Sequence, residues 1–363
     1  MRKKWNIRVK CMEEYLQKYI WLFVLGSVIA LILAVTMVFQ YIQVEIGSSN
    51  EYEIGNVELQ KAIEQYKGIE LDESNIKQIT EITIDSNDKL TDLSGIEYFE
   101  NLNSLTITNC GISDVKALEE SRKLKFLNLS GNKIYDIEPL KKLTELENLN
   151  LNNNKIYDMS PVYTMRKLRI LNMSANNLSI IENDVSNLIY LQELILESNR
   201  FTDINAIRDL PRLTVLNVNK NKISQSPKFE GLDMLTFLYM NGNSMTAFNN
   251  VAELPSLTEI YLENNCFVNL ESIQEIPSLQ SLYIANNQIK SLSGIEKFGQ
   301  LQLLDIRGNQ IDDVSVLEKM PTINSIYVDD NFDREQLDFL VGKFRDADPL
   351  TRAYLLKKQH NLE

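Results

Sequence analysis

The sequence predicts an α/β solenoid. Its parallel β-sheet lines a concave face, short 3-10 and turn segments form the convex face, helices cap both ends, and one transmembrane helix precedes the whole. Three observations carry this. Asparagine recurs at Asn132, Asn154, Asn176, Asn199, Asn221, Asn243, Asn265, Asn287, Asn309 and Asn331, in steps of 22 residues with a single step of 23. An aliphatic residue stands eight positions before each Asn, followed by apolar residues three and five positions on, as in Leu124, Leu127, Leu129 and Asn132 of LKFLNLSGN. Residues 19–44 carry no charged side chain. A regular period of this kind marks stacked units that bury their apolar faces only against their neighbours.

Residues 1–18 hold six cations (Arg2, Lys3, Lys4, Arg8, Lys10, Lys18) against Glu13 and Glu14, and form a basic tail of net charge +4. The total of −13 therefore leaves −17 for residues 45–363, a balance that argues against nucleic acid as a partner. Residues 19–39 would span ~31 Å as a helix, about one hydrocarbon core and longer than a cleaved signal core. The segment 19–44 is thus expected to be a retained signal anchor. The cations before it, and Glu45, Glu51 and Glu53 after it, orient the amino terminus toward the cytoplasm and the repeats outward. Trp5, Tyr15, Tyr19, Trp21 and Tyr41 suit the interfaces. Gly26, Ala30 and Ala34 form a small-residue stripe that would let two such helices pair in a homodimer.

Residues 45–78 read as a linker and helical cap: Leu59, Ala62, Ile63 and Tyr66 follow helical spacing, and Gly68 can close the helix. Residues 79–332 hold twelve repeats beginning at Ile79, Leu102, Leu124, Leu146, Leu168, Leu191, Leu213, Leu235, Leu257, Leu279, Leu301 and Ile323. Within each, apolar and polar residues alternate as in a short half-buried strand. The Asn that follows can satisfy backbone groups of its own turn and of the adjacent unit; Cys110 replaces it in the second repeat. On the return path Asp136, Asp158, Asp203 and Asp313 suit capping positions, and Pro211, Pro255, Pro277 and Pro321 stop the turn before the next strand. Too few residues remain for full helices there. Residues 333–363 form the second cap: Asp333 and Gln336 make a capping-box pair before Leu337, Leu340, Val341 and Phe344, and Asp348-Pro349 opens a last helix.

The frame LxxLxLxxNxIxDIxxL, with TDLSGIEYFENLNSLTI at residues 91–107, resembles bacterial leucine-rich repeat proteins of the internalin type. It is also similar to the 22-residue class that includes a eukaryotic phosphatase-regulatory subunit. The resemblance covers residues 56–345 and implies a leucine-rich repeat horseshoe, a Gram-positive source, and roles in adhesion, sensing or envelope assembly. The cell-wall sorting sequence common in secreted internalins is absent, and the amino-terminal anchor takes its place, so an invasion role is not carried over.

No catalytic constellation is legible. His360 is the single histidine, which removes histidine triads and histidine metal sites, and no phosphate loop, zinc-protease pair or nucleophile elbow is present. The run from Asp329 places Asp, Asn and Asp at calcium-loop positions one, three and five. It lacks the glycine at six and the closing glutamate, so no metal and no cofactor are expected. Cys11 precedes the span and is expected to be a free thiol open to acylation; Cys110 and Cys266 sit ~34 Å apart at seven strand spacings, beyond disulfide reach.

The candidate surface is the row between the two buried aliphatics of each strand: Thr83, Thr106, Asn128, Asn150, Asn172, Ile195, Asn217, Tyr239, Tyr261, Tyr283, Asp305 and Tyr327. All twelve are expected to project from the concave face, with Phe237, Glu259, Glu263 and Arg307 around the tyrosines. Exposed tyrosine with a polar rim favours protein recognition; the competing reading is that tyrosines simply pair well across strands. The expected function is non-catalytic recognition of a protein or cell-surface polymer outside the cytoplasm. The rival is a cytoplasmic-facing regulatory scaffold binding an enzyme or signalling protein.

Overall fold

The computed structural model describes residues 54–360 apart from 183–184, 252–253, 330–331 and 348. The basic tail, the uncharged span 19–44, its Gly26, Ala30 and Ala34 stripe, Asn331 and Asp348 lie outside the described residues. Among the described residues no helix is long and apolar enough to cross a membrane.

Twelve parallel strands stack in strict chain order into one sheet. The first six are β1 (Glu81–Asp85), β2 (Ser104–Thr108), β3 (Phe126–Asn128), β4 (Asn148–Asn150), β5 (Ile170–Asn172) and β6 (Glu193–Ile195). The rest are β7 (Val215–Asn217), β8 (Phe237–Tyr239), β9 (Glu259–Tyr261), β10 (Ser281–Tyr283), β11 (Leu303–Asp305) and β12 (Ser325–Tyr327). From β3 to β10 each strand buries its middle residue and leaves the two flanking ones half-buried. Register follows the sequence period: Leu171 pairs with Leu194 and Leu194 with Leu216. The extra residue of the 23-residue unit is therefore absorbed outside the sheet, because shifting it into a strand would turn every core side chain to the wrong face.

Between strands the chain returns in 3-10 segments of three to five residues at Ile96–Tyr98, Lys116–Leu118, Glu138–Lys142, Ser160–Thr164, Ile295–Lys297 and Ser315–Lys319, and otherwise in turns. The aspartates work as their spacing suggests. Asp136, Asp158, Asp203 and Asp313 each accept the backbone N–H two residues on, at 2.7–2.8 Å. Each repeat buries a wedge of aliphatics, Leu213, Leu216, Val218 and Ile223 for example, at 0–1% exposure. At roughly 1.5–3 kcal/mol per buried side chain these wedges dominate cohesion between repeats.

The asparagines form a buried ladder along this core. Nine of them, Asn132 to Asn309, are 7–8% exposed. Asn154 is representative: its Nδ2 donates to Leu129 O at 2.9 Å in the preceding repeat and to Leu151 O at 3.0 Å in its own. Its Oδ1 accepts Ile134 N–H at 3.0 Å. One amide thus satisfies backbone groups of two repeats with two donor hydrogens and an acceptor oxygen, whereas a carboxylate has no donor and a hydroxyl only one. Just before each ladder position the backbone turns left-handed, at Asn109, Gly131, Asn153, Ala175, Ser198, Lys220, Gly242, Asn264, Asn286 and Gly308. The N–H of that residue reaches the next repeat, as in Lys220 N–H to Asn241 O at 2.7 Å.

The ends are closed by helices. Helix α1 (Val57–Lys67) starts at Asn56, whose Oδ1 accepts Leu59 N–H at 3.0 Å, and ends at Gly68 with φ +68°. It buries Leu59 and Ile63 against the first repeat, while Tyr66 stays exposed. A short helix α2 (Glu73–Ile76), not anticipated from the sequence, follows with a capping box on Asp72. Helix α3 (Arg334–Lys343) begins with the expected Asp333–Gln336 box and buries Leu337 and Leu340, with Phe344 beyond its end. Helix α4 (Pro349–His360) then packs on α3 and on β12, burying Thr351 and Leu355.

Candidate functional site

The concave face is built from the first and third residues of each strand and from the residue two positions further on. The amide half of the row has a structural task. The side-chain oxygens of Asn128, Asn150, Asn172 and Asn217 accept the N–H of Ser130, Asn152, Ser174 and Asn219 at 3.0–3.1 Å. This local loop ends the strand, and a short amide suits it because its oxygen reaches its own backbone two residues on.

Tyrosine at the same position has no such oxygen, so the N–H two residues later needs another partner. Asn241 N–H donates to Asn219 Oδ1 at 2.6 Å, and Glu263 N–H donates to Asn241 Oδ1 at 2.7 Å. The preceding repeat thus supplies what the local side chain no longer can. Released from the backbone, Tyr239 and Tyr261 stack with centroids 4.4 Å apart, and Tyr261 and Tyr283 at 4.3 Å with planes within 3°. Both faces of Tyr261 are covered by its neighbours, leaving its edge and hydroxyl toward the concavity. That hydroxyl donates to Glu259 Oε2 at 2.9 Å. Burial, and then the Glu259 carboxylate, push the Tyr261 hydroxyl far above the usual tyrosine range; burial also raises Tyr283. Both stay protonated donors near neutral pH. Phe237 sits half-buried at the start of β8, on the same face as Tyr239.

The exposure expected of all twelve row residues fails at Asp305, which is 1% exposed. Arg307 covers it: Nε donates to Oδ1 at 2.9 Å and Oδ2 at 3.2 Å, and a terminal nitrogen also grips Oδ2. Asp305 Oδ1 also accepts Arg307 N–H at 3.2 Å, so this aspartate closes its turn as the asparagines do. The hydrogen-bonded carboxylate raises the Arg307 guanidinium above its usual range. Arg307 lies 5.3 Å from the Tyr327 ring centroid. Tyr327 is not part of the stack, since Asp305 intervenes and Tyr354 of α4 packs edge-on against it at 5.5 Å. Tyr354 Oη donates to Val328 O and accepts Val328 N–H at 3.3 Å, fixing the helix over the last strand. Of the nine residues singled out by sequence, six (Phe237, Tyr239, Glu259, Tyr261, Glu263 and Tyr283) form one patch on adjacent strands, whereas Asp305, Arg307 and Tyr327 form a clamp that seals its far end.

Glu263 borders the stack. Its Oε2 accepts Asn241 Nδ2 at 2.9 Å. Burial raises its carboxyl above the usual range, the nearby Asp305 adds to this, and Arg307 opposes it. Residues the sequence reading did not single out include Asn219 and Asn241, which compensate for the tyrosines, and Tyr354, which comes from a cap outside the repeat. The first two had a legible signal, asparagine two residues past the strand in both the last amide repeat and the first tyrosine repeat. Tyr354 had none. Among the described residues, no cluster of His, Cys, Asp or Glu is placed to hold a metal ion, and Cys110 and Cys266 are free thiols.

The fold and its concave face define a leucine-rich repeat solenoid. A two-copy leucine-rich repeat model matches residues 122–162 and 277–319, and a second leucine-rich repeat model matches 189–245. The structure is similar to that of an internalin from Listeria monocytogenes, with TM-score 0.63 and 22% identity over 81% of this chain and 94% of that one. It is also similar to a leucine-rich repeat protein of Leptospira interrogans, with TM-score 0.55 and 22% identity over 70% and 72% of the two chains. A plant peptide hormone receptor in complex with RGF2 matches at TM-score 0.57 and 19% identity, covering 71% of this chain and 49% of the receptor chain. No curated protein matches. Leucine-rich repeat proteins in general bind protein partners on such extended concave surfaces.

Proposed function

We propose that this protein is a membrane-anchored, extracytoplasmic leucine-rich repeat protein that recognises a protein or cell-surface ligand through its concave face, without catalysis. The observation that carries the recognition reading is the Tyr239, Tyr261 and Tyr283 stack, displayed on an open sheet face where three aromatic rings stand where amides would close the turn. Rings already held by mutual stacking lose little freedom on binding, which favours them as contact residues. The anchor and orientation rest on sequence: an uncharged segment 19–44 behind a tail of net +4.

Two measurements test this. Affinity capture from intact cells with the full chain is expected to recover a partner that the Tyr261→Ala/Tyr283→Ala double variant, folded normally, fails to recover. Equal recovery by both would end the concave-face reading. Protease added outside intact cells is expected to cleave within residues 45–363; cleavage only after lysis would reverse the orientation and favour a cytoplasmic scaffold.

A further inference from the structure

The charges around the tyrosine stack are strongly one-sided. From β6 to β12, the outward strand positions and the turn residues after them carry Glu193, Glu197, Glu259, Glu263, Asp305 and Asp329, against Lys220 and Arg307. Both cations are committed. Arg307 grips Asp305, and Lys220 Nζ pairs with Glu197 at 2.8 Å. Asp329 is also engaged, accepting Gly308 N–H at 2.7 and 2.8 Å. Glu193, Glu259 and Glu263 are left, and none of them pairs with a Lys or Arg among the described residues. Glu259 and Glu263 flank Tyr261 on the same strand and turn, and all three are half-buried rather than fully solvated. The earlier repeats differ: from β2 to β5 the same outward strand and turn positions carry no charged side chain.

Resting on the concave face as the binding surface, we infer that its occupant is a cationic polypeptide segment bearing lysine or arginine side chains, docked across β8 to β10. Charge complementarity selects this class. Among the described residues, the face offers carboxylates that form no ion pair, tyrosine hydroxyls and ring edges, and no uncommitted cation to receive an acidic segment. A half-buried carboxylate lacking a cationic partner gains more from an incoming ammonium or guanidinium than a solvated one, because the local dielectric is lower. Aromatic rings beside carboxylates also attract cations over their faces, which the outer ring of the stack at β8, Tyr239, can offer.

The test is isothermal titration calorimetry of the full chain in an uncharged detergent. The probes are a blocked decapeptide of alternating lysine and serine, its glutamate–serine counterpart, and maltoheptaose. The lysine peptide is expected to bind and the glutamate peptide not to. Affinity is expected to fall as salt rises from about 50 to about 300 mM. The E259Q/E263Q double variant is expected to weaken the lysine peptide roughly 5–10-fold, while E70Q, on the exposed surface beyond α1, leaves it unchanged. Equal binding of both peptides, or lysine-peptide binding indifferent to E259Q/E263Q, would overturn the inference. So would maltoheptaose binding that Tyr261→Ala abolishes while the lysine peptide stays unbound. That last pattern, or a Tyr261- and Tyr283-dependent cellular partner with an acidic docking segment, would remove the cationic class yet leave the concave-face reading standing.

Discussion

Replacing Asn221 by alanine probes the ladder that ties repeat to repeat. Its Nδ2 reaches Leu196 O at 3.1 Å, Val218 O at 3.0 Å and Asn219 O at 3.1 Å, and its Oδ1 accepts Phe201 N–H at 3.1 Å. The losses are unequal. Leu196 O keeps a second donor in Asn199 Nδ2 at 3.0 Å, and Val218 O keeps Asn243 Nδ2 at 3.1 Å. Among the described residues Phe201 N–H has no alternative acceptor, and Phe201 is fully buried. An orphaned buried N–H costs about 1–3 kcal/mol, and each carbonyl that loses one of two donors adds about 0.5–1 kcal/mol, so the variant is expected to lose about 3 kcal/mol. Alanine also leaves a polar-lined gap that no aliphatic side chain can fill. Equilibrium urea unfolding of wild type and variant, followed by far-UV circular dichroism, measures it as a fall in midpoint at unchanged slope. A loss below about 1 kcal/mol would refute the view that the amide satisfies otherwise unpartnered backbone, because an exposed Asn→Ala change costs no more than that.

Three further outcomes follow from the same structure. Tyr163 is buried in Ser160–Thr164 and its hydroxyl has no hydrogen-bond partner among the described residues; burial lifts it well above the usual tyrosine range. Tyr163→Phe is therefore expected to raise stability by about 1 kcal/mol in the same urea experiment, and a loss would show a hidden partner. Gly308→Ala places a Cβ at φ +69° that overlaps Asn286 Oδ1, so it is expected to cost about 2 kcal/mol or more, whereas Gly299→Ala, with open space around it, costs little. For Glu263, the folded carboxyl titrates above its unfolded value, so the folded state binds the extra proton between the two. Its stability cost is therefore absent below the ordinary glutamate range and grows as pH rises toward the raised value. Glu263→Gln is expected to melt ~1–2 °C higher at pH 7.5 and level with wild type at pH 4; an equal gain at both would rule out titration as the cause.

Much of this molecule is readable from one dimension because its contacts are nearly periodic. Leu213 meets Leu235 for the same reason Leu235 meets Leu257, so spacing alone predicts the sheet, its register and the inward Asn. The caps are legible because Asn56, Asp333 and Gln336 act over three residues. Tyr261 and Tyr283 were legible as a row, since parallel in-register strands place equal positions side by side. Asp305 was misjudged because exposure depends on what lies over a residue as well as on which face it points from, and Arg307, two residues on, folds back onto it.

What the sequence by itself determined is the repeat: the period, the strand, the polar column that ends it and the apolar wedge beneath, all consequences of short-range geometry repeated many times. Tertiary structure alone decided how the concave face is divided. Tyr354, 27 residues beyond Tyr327 and in a helix outside the period, closes one end of it. Asn219 and Asn241 reach across repeats to backbone groups that the tyrosines left unmet, and so make the aromatic stack possible. Such contacts depend on side-chain direction and on which hydrogen-bond donors are left over once neighbouring repeats are stacked, and neither quantity exists until the chain is folded.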